Sequence, residues 1–113
     1  MRSISFTHTE RQFLNGTKTV TRRLGWLRLK AGDYLQAVRQ VQGLKRGQKL
    51  HVLGVIVVLG VRREPLDSIT RADCAREGFP KLSPDEFVSM FRRLDTHAAP
   101  DEPVTRIEFR RIS

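Results

Sequence analysis

The feature that most constrains the fold of this chain is an apolar run over Leu50–Val61, with four consecutive β-branched residues at positions 55–58. Consecutive β-branched residues favour an extended strand over a helix. Gly54 and Gly60 flank this centre and indicate bulges or bends of the kind with which a small barrel curls. Pro65 ends the run, because proline cannot donate to a sheet ladder. The run therefore predicts a long, curved central strand.

Four shorter segments also have the composition of strands. They are Ser3–Phe6, Thr17–Leu24, Tyr34–Val41 and Val104–Arg111. In the last segment, side chains alternate between the two faces, so its odd-numbered residues from 105 to 109 are expected to face the core together. Between the third strand and the central strand, a basic hairpin loop is predicted over residues 43–48. Together with the central strand, these segments predict a domain that is mostly β.

Two short helices are predicted from the residues at their ends. The first covers Glu10–Leu14, and Thr9 forms a capping-box pattern with the glutamine three residues later. The second covers Arg71–Glu77, begins at a Thr70 cap, and stops at Gly78, which can adopt a positive φ. Both helices are short, so we expect them to pack against the sheet rather than form a helical domain of their own.

A third helix has the clearest start signal in the chain. Ser83 supplies a cap, Pro84 follows at the first helical position, and acidic residues occupy the first turn. Apolar residues then recur at helical spacing from Phe87 to Leu94, and we interpret them as core positions. With 113 residues and no repeat, the chain is predicted to form a single α+β domain over residues 1–113.

The charge balance favours an anionic partner. The chain carries 21 basic and 12 acidic residues, a formal net charge of +9, and 16 of the basic residues are arginines. Arginine suits planar, bidentate recognition of phosphate, although a basic surface that reflects genome composition is the alternative. Cys74 is the single cysteine, which excludes an internal disulfide, and we interpret it as a packed core residue. No apolar segment approaches the length of a membrane span, so we expect a cytoplasmic protein.

The segment most suggestive of chemistry covers residues 16–23. It combines a turn glycine, Lys18, a weak nucleophile in Thr21, and the guanidinium pair Arg22 and Arg23. A flat strand would place Lys18 and Thr21 on opposite faces, because side chains alternate with a period of two. If both residues serve one site, the backbone must bend between them.

Four patterns in this chain together resemble the ASCH domain family. They are G-x-K-T-x-T-x-R over residues 16–23, K-x-G-D over residues 30–33, D-x-x-x-E-G over residues 73–78, and T-R-I-E-F over residues 105–109. The resemblance extends over essentially the whole chain and implies a PUA-like fold, a small β-barrel with short helices packed at its ends. It also implies a link to RNA and to modified nucleotides.

The resemblance further implies a set of catalytic residues. Small bacterial ASCH proteins remove the acetyl group from N4-acetylcytidine with a lysine, a threonine and a glutamate, which correspond here to Lys18, Thr21 and Glu77. Thr21 would be the nucleophile and Lys18 its activator. In the alternative, Lys18 stays charged and polarises the carbonyl, while Glu77 activates a water molecule. The sequence does not decide between these two mechanisms.

A second set of residues is expected to bind nucleic acid or substrate. A groove could neutralise phosphates while Trp26 stacks on a base, or Trp26 could lie buried in the barrel. The predicted binding residues are Thr19, Arg22, Arg23, Trp26, Arg28, Lys45 and Arg46. The alternatives to a hydrolase are a non-catalytic RNA-binding module and, less favoured because no histidine pair is evident, an RNA-cleaving enzyme.

The expected partners are RNA or a modified nucleoside, and the protein is expected to be a monomer. The histidines at positions 8, 51 and 97 show no metal-ligand spacing, so neither a metal nor a cofactor is predicted.

Overall fold

The structure is a computed structural model that describes residues 1–41 and 45–113, so the predicted hairpin loop over residues 43–48 lies partly outside the described residues. The described residues form five strands, three α-helices and one 3₁₀ turn. The strands are β1 Ser3–Ser5, β2 Val20–Arg23, β3 Tyr34–Val38, β4 Val52–Pro65 and β5 Pro103–Arg111. The helices are α1 Glu10–Leu14, α2 Arg71–Arg76 and α3 Pro84–Leu94, and the 3₁₀ turn is Leu66–Ser68.

The five strands form one sheet in the order β1-β3-β4-β5-β2. β1 runs parallel to β3, whereas the other three pairs of neighbours are antiparallel. Within the described residues, no strand ladder joins the two edge strands, so the predicted closed barrel is wrong and the sheet stays open between β1 and β2. The physical reason is that β1 has only three residues before the chain turns into α1, with the Thr9 amide donating to the Phe6 carbonyl.

β4 pairs with a different strand on each of its two edges. Its residues 52–57 pair with β3, and its residues 56–65 pair with β5 over nine registered positions. The register shifts once between Ala37 and Val38, opposite the strand around Gly54, and once between Val58 and Gly60. The predicted irregularities beside both glycines are therefore confirmed, and the prediction that the strand ends at Pro65 is also confirmed.

The described residues form two apolar clusters. The first includes Phe6 and Phe13, whose ring centroids are 4.8 Å apart, together with Ile107 and Phe109 of β5. The second packs the 3₁₀ turn, α2 and α3 against Val104 and takes in the Cys74 side chain (fully buried). Thr105, Ile107 and Phe109 are all buried, which confirms the predicted alternation along β5.

Two of the three predicted N-terminal caps form in the structure. The Thr70 side chain accepts a hydrogen bond from the Asp73 amide, and Ser83 forms a full capping box with Glu86. The capping role predicted for Thr9 is wrong, because its side chain makes no capping hydrogen bond although α1 begins where expected. None of the helices in the described ranges is long and apolar enough to cross a membrane.

Candidate active site

Lys18 lies before β2 rather than within it, so the alternation of a flat strand does not separate it from Thr21. The strand predicted over residues 17–24 begins only at Val20, and residues 17–19 are irregular. The Lys18 amide donates to the Gln12 carbonyl at 3.0 Å, and the Thr19 amide donates to the Arg76 carbonyl at 2.8 Å. These two bonds anchor the segment to α1 and α2. Lys18 and Thr21 consequently line the same cavity.

Lys18 is buried and is held by a single residue. Its Nζ donates to the Glu77 carboxylate oxygen Oε1 at 2.9 Å and to the Glu77 backbone carbonyl at 2.8 Å. The side chains are only 3% and 4% exposed, so both charges have been removed from water. Glu77 ends α2, and Gly78 then takes a φ of 102° that turns the chain away. The end of this helix therefore fixes the ammonium group of Lys18.

Arg22 holds the other oxygen of the same carboxylate. Its Nη1 donates to Glu77 Oε2 at 3.1 Å, and its Nη2 donates to Asp73 Oδ2 at 2.5 Å and to Glu64 Oε1 at 3.3 Å. A carboxylate held on both oxygens by cations has little freedom to rotate. Arg22 thus fixes the orientation of Glu77 while itself being held by two further acids.

Asp73 is the second buried carboxylate of this network. Its oxygens accept hydrogen bonds from Arg22, from Arg76 at 2.9 Å, and from Arg106 at 2.7 and 3.0 Å. The bonds from Arg106, followed by those from Arg22 and Arg76, hold the pKa of Asp73 well below its usual range, against the opposing effect of burial. Asp73 is therefore ionised at every pH at which the fold is expected to work.

The surroundings of Lys18 oppose its charge. Burial is the largest effect and lowers the pKa of Lys18 below its usual value, and the charges of Arg23 and Arg22 act in the same direction. The charge and hydrogen bond of Glu77 act against this lowering. A neutral lysine amine is thus easier to reach here than on the protein surface, which is the condition for action as a base.

Thr21 is held by the neighbouring arginine on the same strand. Arg23 Nε donates to Thr21 Oγ1 at 3.0 Å, and Arg23 Nη2 donates to the Ser5 carbonyl at 2.5 Å. Burial lowers the pKa of Arg23 to about 10, so it remains charged at neutral pH. A guanidinium donor on a hydroxyl oxygen favours the ionised form of that hydroxyl. Arg23 also bridges the opening between the edge strands β2 and β1.

These residues line a cavity of about 280 Å³ at the opening of the sheet. Lys18, Thr21, Arg22, Arg23 and Glu77 form its polar wall. An apolar wall faces them, built largely from α3 and the segment before it: Phe79, Phe87, Met90, Phe91 and Leu94. The cavity can therefore hold a ligand with a polar group against the β2 side and an apolar part against α3.

The apolar residues of α3, which the sequence predicted to be core positions, contribute both to the core and to the wall of the cavity. Phe87 is buried in the second cluster, whereas Leu94 is 55% exposed at the cavity. The sequence reasoning missed His8 and Asp95, which line the same cavity. Their position at the junctions that follow β1 and α3 was the available signal, because functional residues concentrate in such loops.

The other predicted binding residues do not join this cavity. Thr19 is exposed and uses its backbone to join α2 and β5, through its amide to Arg76 and its carbonyl to Phe109. Arg28, Lys45 and Arg46 are exposed and lie outside the lining of the cavity.

Trp26 lies in a separate region from the polar site. It packs against the first apolar cluster, and the Arg2 guanidinium lies 3.8 Å from its ring centroid. Its φ of 56° is a left-handed conformation that non-glycine residues rarely adopt. One ring face is therefore already covered by a cation, and the ring faces a shallow groove beside β4 rather than the Lys18 cavity.

In the described part of the chain, no group of three or more His, Cys, Asp or Glu side chains is arranged to hold a metal ion. Glu77, which lines the cavity, and Asp73, which lies behind Arg22 in the same network, are each paired with cationic side chains. The polar wall of the cavity offers lysine, hydroxyl, carboxylate and guanidinium groups.

Comparison with solved structures identifies the fold. The ASCH domain from Lactobacillus crispatus JV V101 matches with a TM-score of 0.68 and 14% identity, over 90% of this chain and 69% of that chain. Protein EF3133 from Enterococcus faecalis V583, of family DUF984, matches with a TM-score of 0.70 and 16% identity, over 99% and 80%. The hypothetical protein PH0355 matches with a TM-score of 0.69 and 19% identity, over 99% and 100%.

No family model matches the sequence, and no curated protein matches it. The structural matches define the class: this is an α+β domain with the ASCH fold. The fold implied by the patterns at residues 16–23, 30–33, 73–78 and 105–109 is thereby confirmed, apart from the closure of the barrel.

Proposed function

We propose that this domain recognises a nucleoside or RNA and hydrolyses the amide bond of an N4-acylated cytosine. The observation that carries the proposal is the buried Lys18–Glu77 pair, which shares one cavity with the Thr21 hydroxyl. Amide hydrolysis needs a nucleophile, a group that takes its proton, and donors for the oxyanion. This cavity offers one group of each kind, and the ASCH fold is the second support.

In the mechanism that the local contacts favour, Thr21 is the nucleophile. Neutral Lys18 takes the hydroxyl proton as Thr21 Oγ1 attacks the acyl carbonyl carbon, and Arg23, which already donates to Oγ1, favours the ionised oxygen. The tetrahedral intermediate collapses with cleavage of the C–N bond, and the Lys18 ammonium returns the proton to the leaving N4 amine. Water then hydrolyses the threonyl ester and releases the acid.

The alternative mechanism uses Glu77 as the base. Lys18 stays charged and polarises the acyl carbonyl, while Glu77 takes a proton from a water molecule that attacks the same carbon. Both Glu77 oxygens already accept hydrogen bonds from cationic side chains, so an attacking water molecule would have to share an oxygen with Lys18 or Arg22. This contact pattern is the reason for preferring the first mechanism.

A chromatographic assay with N4-acetylcytidine, free and within a short RNA, tests the proposal. Wild-type protein should release cytidine, and Lys18→Ala should abolish the product under both mechanisms. Thr21→Ala separates the two, because only the first mechanism requires the hydroxyl, and Thr21→Ser is the matched control that keeps it. Retained turnover in Lys18→Ala would contradict the proposed catalytic site.

The net charge of +9 supports a second candidate, a non-catalytic RNA-binding module. This candidate predicts RNA affinity that falls steeply with salt concentration and no turnover of any acylated nucleoside. Fluorescence anisotropy with a labelled RNA at several salt concentrations, measured beside the assay above, distinguishes the two candidates.

A further inference from the structure

A second, polar cavity lies behind the first and shares Arg22 with it. Its volume is about 350 Å³, and its wall combines arginines with carboxylates and two hydroxyl side chains. The four arginines come from β2, β4, α2 and β5, and they are Arg22, Arg62, Arg76 and Arg106. None of the proposed chemistry in the first cavity accounts for such a concentration of guanidinium groups.

The register of the sheet places three of these arginines in a row. Arg62 of β4 lies opposite Arg106 of β5, and Arg106 lies opposite Arg22 of β2. Like charges directly opposite each other destabilise a sheet, so this row requires anionic groups beside it. Asp73 and Glu64 provide part of the compensation from within the chain.

Every oxygen of these two carboxylates already accepts at least one hydrogen bond. Both Asp73 oxygens accept from guanidinium groups, whereas Glu64 uses Oε1 for Arg22 and Arg62 and Oε2 for the Ser68 hydroxyl. The Arg62 and Arg76 side chains are 60% and 51% exposed, and each has donors beyond the one that its ion pair uses. Spare guanidinium donors therefore remain at the mouth of the cavity.

A buried donor points to the same conclusion. Among the described residues, Arg22 Nε is the buried side-chain nitrogen without a hydrogen-bond partner, in a side chain that is only 1% exposed. Nε and Nη2 share one edge of the planar guanidinium, and Nη2 donates to Asp73 and Glu64, which both line this cavity. An unsatisfied buried donor costs stability unless an acceptor reaches it.

We infer that this second cavity binds a phosphate group, with Arg22, Arg62 and Arg76 as donors to its oxygens. Because Arg22 lines both cavities, we assign the phosphate to a nucleotide whose base occupies the first cavity. The assignment of a nucleotide as the source of the phosphate rests on the proposed function. The anion site itself does not.

Glu108 is the lining residue that opposes an anion. It faces the same cavity, and within the described residues it forms no ion pair. Its carboxylate repels a phosphate without being needed to hold the arginines. The substitution Glu108→Gln is therefore expected to strengthen phosphate binding, an effect opposite in sign to the loss of an arginine.

The test is a titration with inorganic phosphate, followed by the NMR signals of the arginine Nε–H groups. We expect a saturable shift of the Arg22 Nε–H signal in the wild type and a loss of about tenfold in affinity in Arg62→Gln/Arg76→Gln. Glu108→Gln should bind several-fold more tightly, and Arg93→Gln, at an exposed position on α3, should match the wild type. Thermal melts verify that each variant is folded.

A wild type without a saturable shift, or an Arg62→Gln/Arg76→Gln variant with unchanged affinity, would overturn the inference. A second arm compares cytidine, cytidine 5′-monophosphate and a dinucleotide, and tighter binding of the phosphorylated ligands identifies a nucleotide as the source. Phosphate binding in a protein that deacylates nothing refutes the proposed function alone. Deacylation without phosphate binding refutes the phosphate site alone.

Discussion

Two groups of ion pairs in this protein differ in their exposure to solvent: one lies on the surface and the other is buried. On the surface, Arg39 donates to both oxygens of Glu10 at 3.0 and 2.9 Å, with side chains 48% and 27% exposed. In the interior, Glu77 binds Lys18 and Arg22 with comparable distances, and all three side chains are at most 4% exposed.

The two regions differ in how they affect the free energy of folding. Solvent screens the surface pair, so even ideal bidentate geometry contributes little. The buried network requires several charges to be removed from water, and apolar residues of similar volume often stabilise a fold as well or better. Stability alone therefore does not explain the interior network, whereas a site that needs a fixed carboxylate and a buried amine does.

The largest expected effect that tests this contrast is that of Glu77→Leu. The substitution leaves Lys18 and Arg22 buried without their shared counter-ion, and we expect the free energy of unfolding to fall by about 3–5 kcal/mol. Urea denaturation measures the loss. The double variant Lys18→Met/Glu77→Leu should recover part of it, and a single-variant loss no larger than that of the surface pair would contradict the contrast.

A smaller effect is expected from Gly78→Ala, which tests how the backbone after Glu77 is fixed. Gly78 has a φ of 102°, and an added Cβ would lie 2.8 Å from Gln12 Cβ. We expect a loss of about 1–3 kcal/mol in the free energy of unfolding. Gly32→Ala is the matched control, because Gly32 has a φ of 94° with open space around it. Equal losses in the two variants would show that the contact with Gln12 is unimportant.

The free energy of unfolding at low pH provides a further test of the buried network. The folded pKa of Asp73 is depressed, so its stabilisation is complete above its unfolded pKa of about 4 and is lost as the pH falls through the folded value. The free energy of unfolding of the wild type should therefore decline below about pH 4. Asp73→Asn should start lower and decline less steeply in denaturant titrations from pH 7 to pH 2. Parallel curves would show that Asp73 is not the group responsible.

The smallest effect is expected at the surface pair. Arg39→Gln removes a bidentate contact that solvent already screens, so the midpoint of thermal unfolding should stay within the scatter of replicate melts. Glu10→Gln should behave in the same way, and added salt should reduce any residual difference. A loss comparable to that of Glu77→Leu would remove the distinction between the two regions.

Local signals in the sequence predicted much of the secondary structure. The bounds of α1, the Thr70 and Ser83 caps, and the alternation along β5 all follow from neighbouring residues. Whether the sheet closes into a barrel could not be predicted from neighbouring residues. Whether β1 meets β2 depends on where the chain after Ser5 goes, which local propensity does not determine.

The candidate site also depends on contacts between distant residues, which the sequence alone does not predict. The motif at residues 16–23 indicated that Lys18, Thr21 and the arginine pair belong together, and all four line one cavity. Arg22 and Arg23 nevertheless point to different partners, because adjacent residues of a strand face opposite sides. In the sequence, Asp73 was visible only as part of a helix pattern, since its ion pairs are with Arg22 and Arg106, which lie far away in sequence.

The pairing of β2 has a consequence for when the site is assembled. β2 carries Thr21 and both arginines, yet within the described residues its strand partner is β5, the strand furthest along the chain. A ribosome must therefore release residues 103–111 before the motif at residues 16–23 acquires its strand neighbour, so a nascent chain with its first 100 residues exposed carries Lys18, Thr21 and Glu77 but lacks the strand that pairs with β2. Such long-range pairing slows folding. The candidate site of this domain is consequently completed only after β5 has been made.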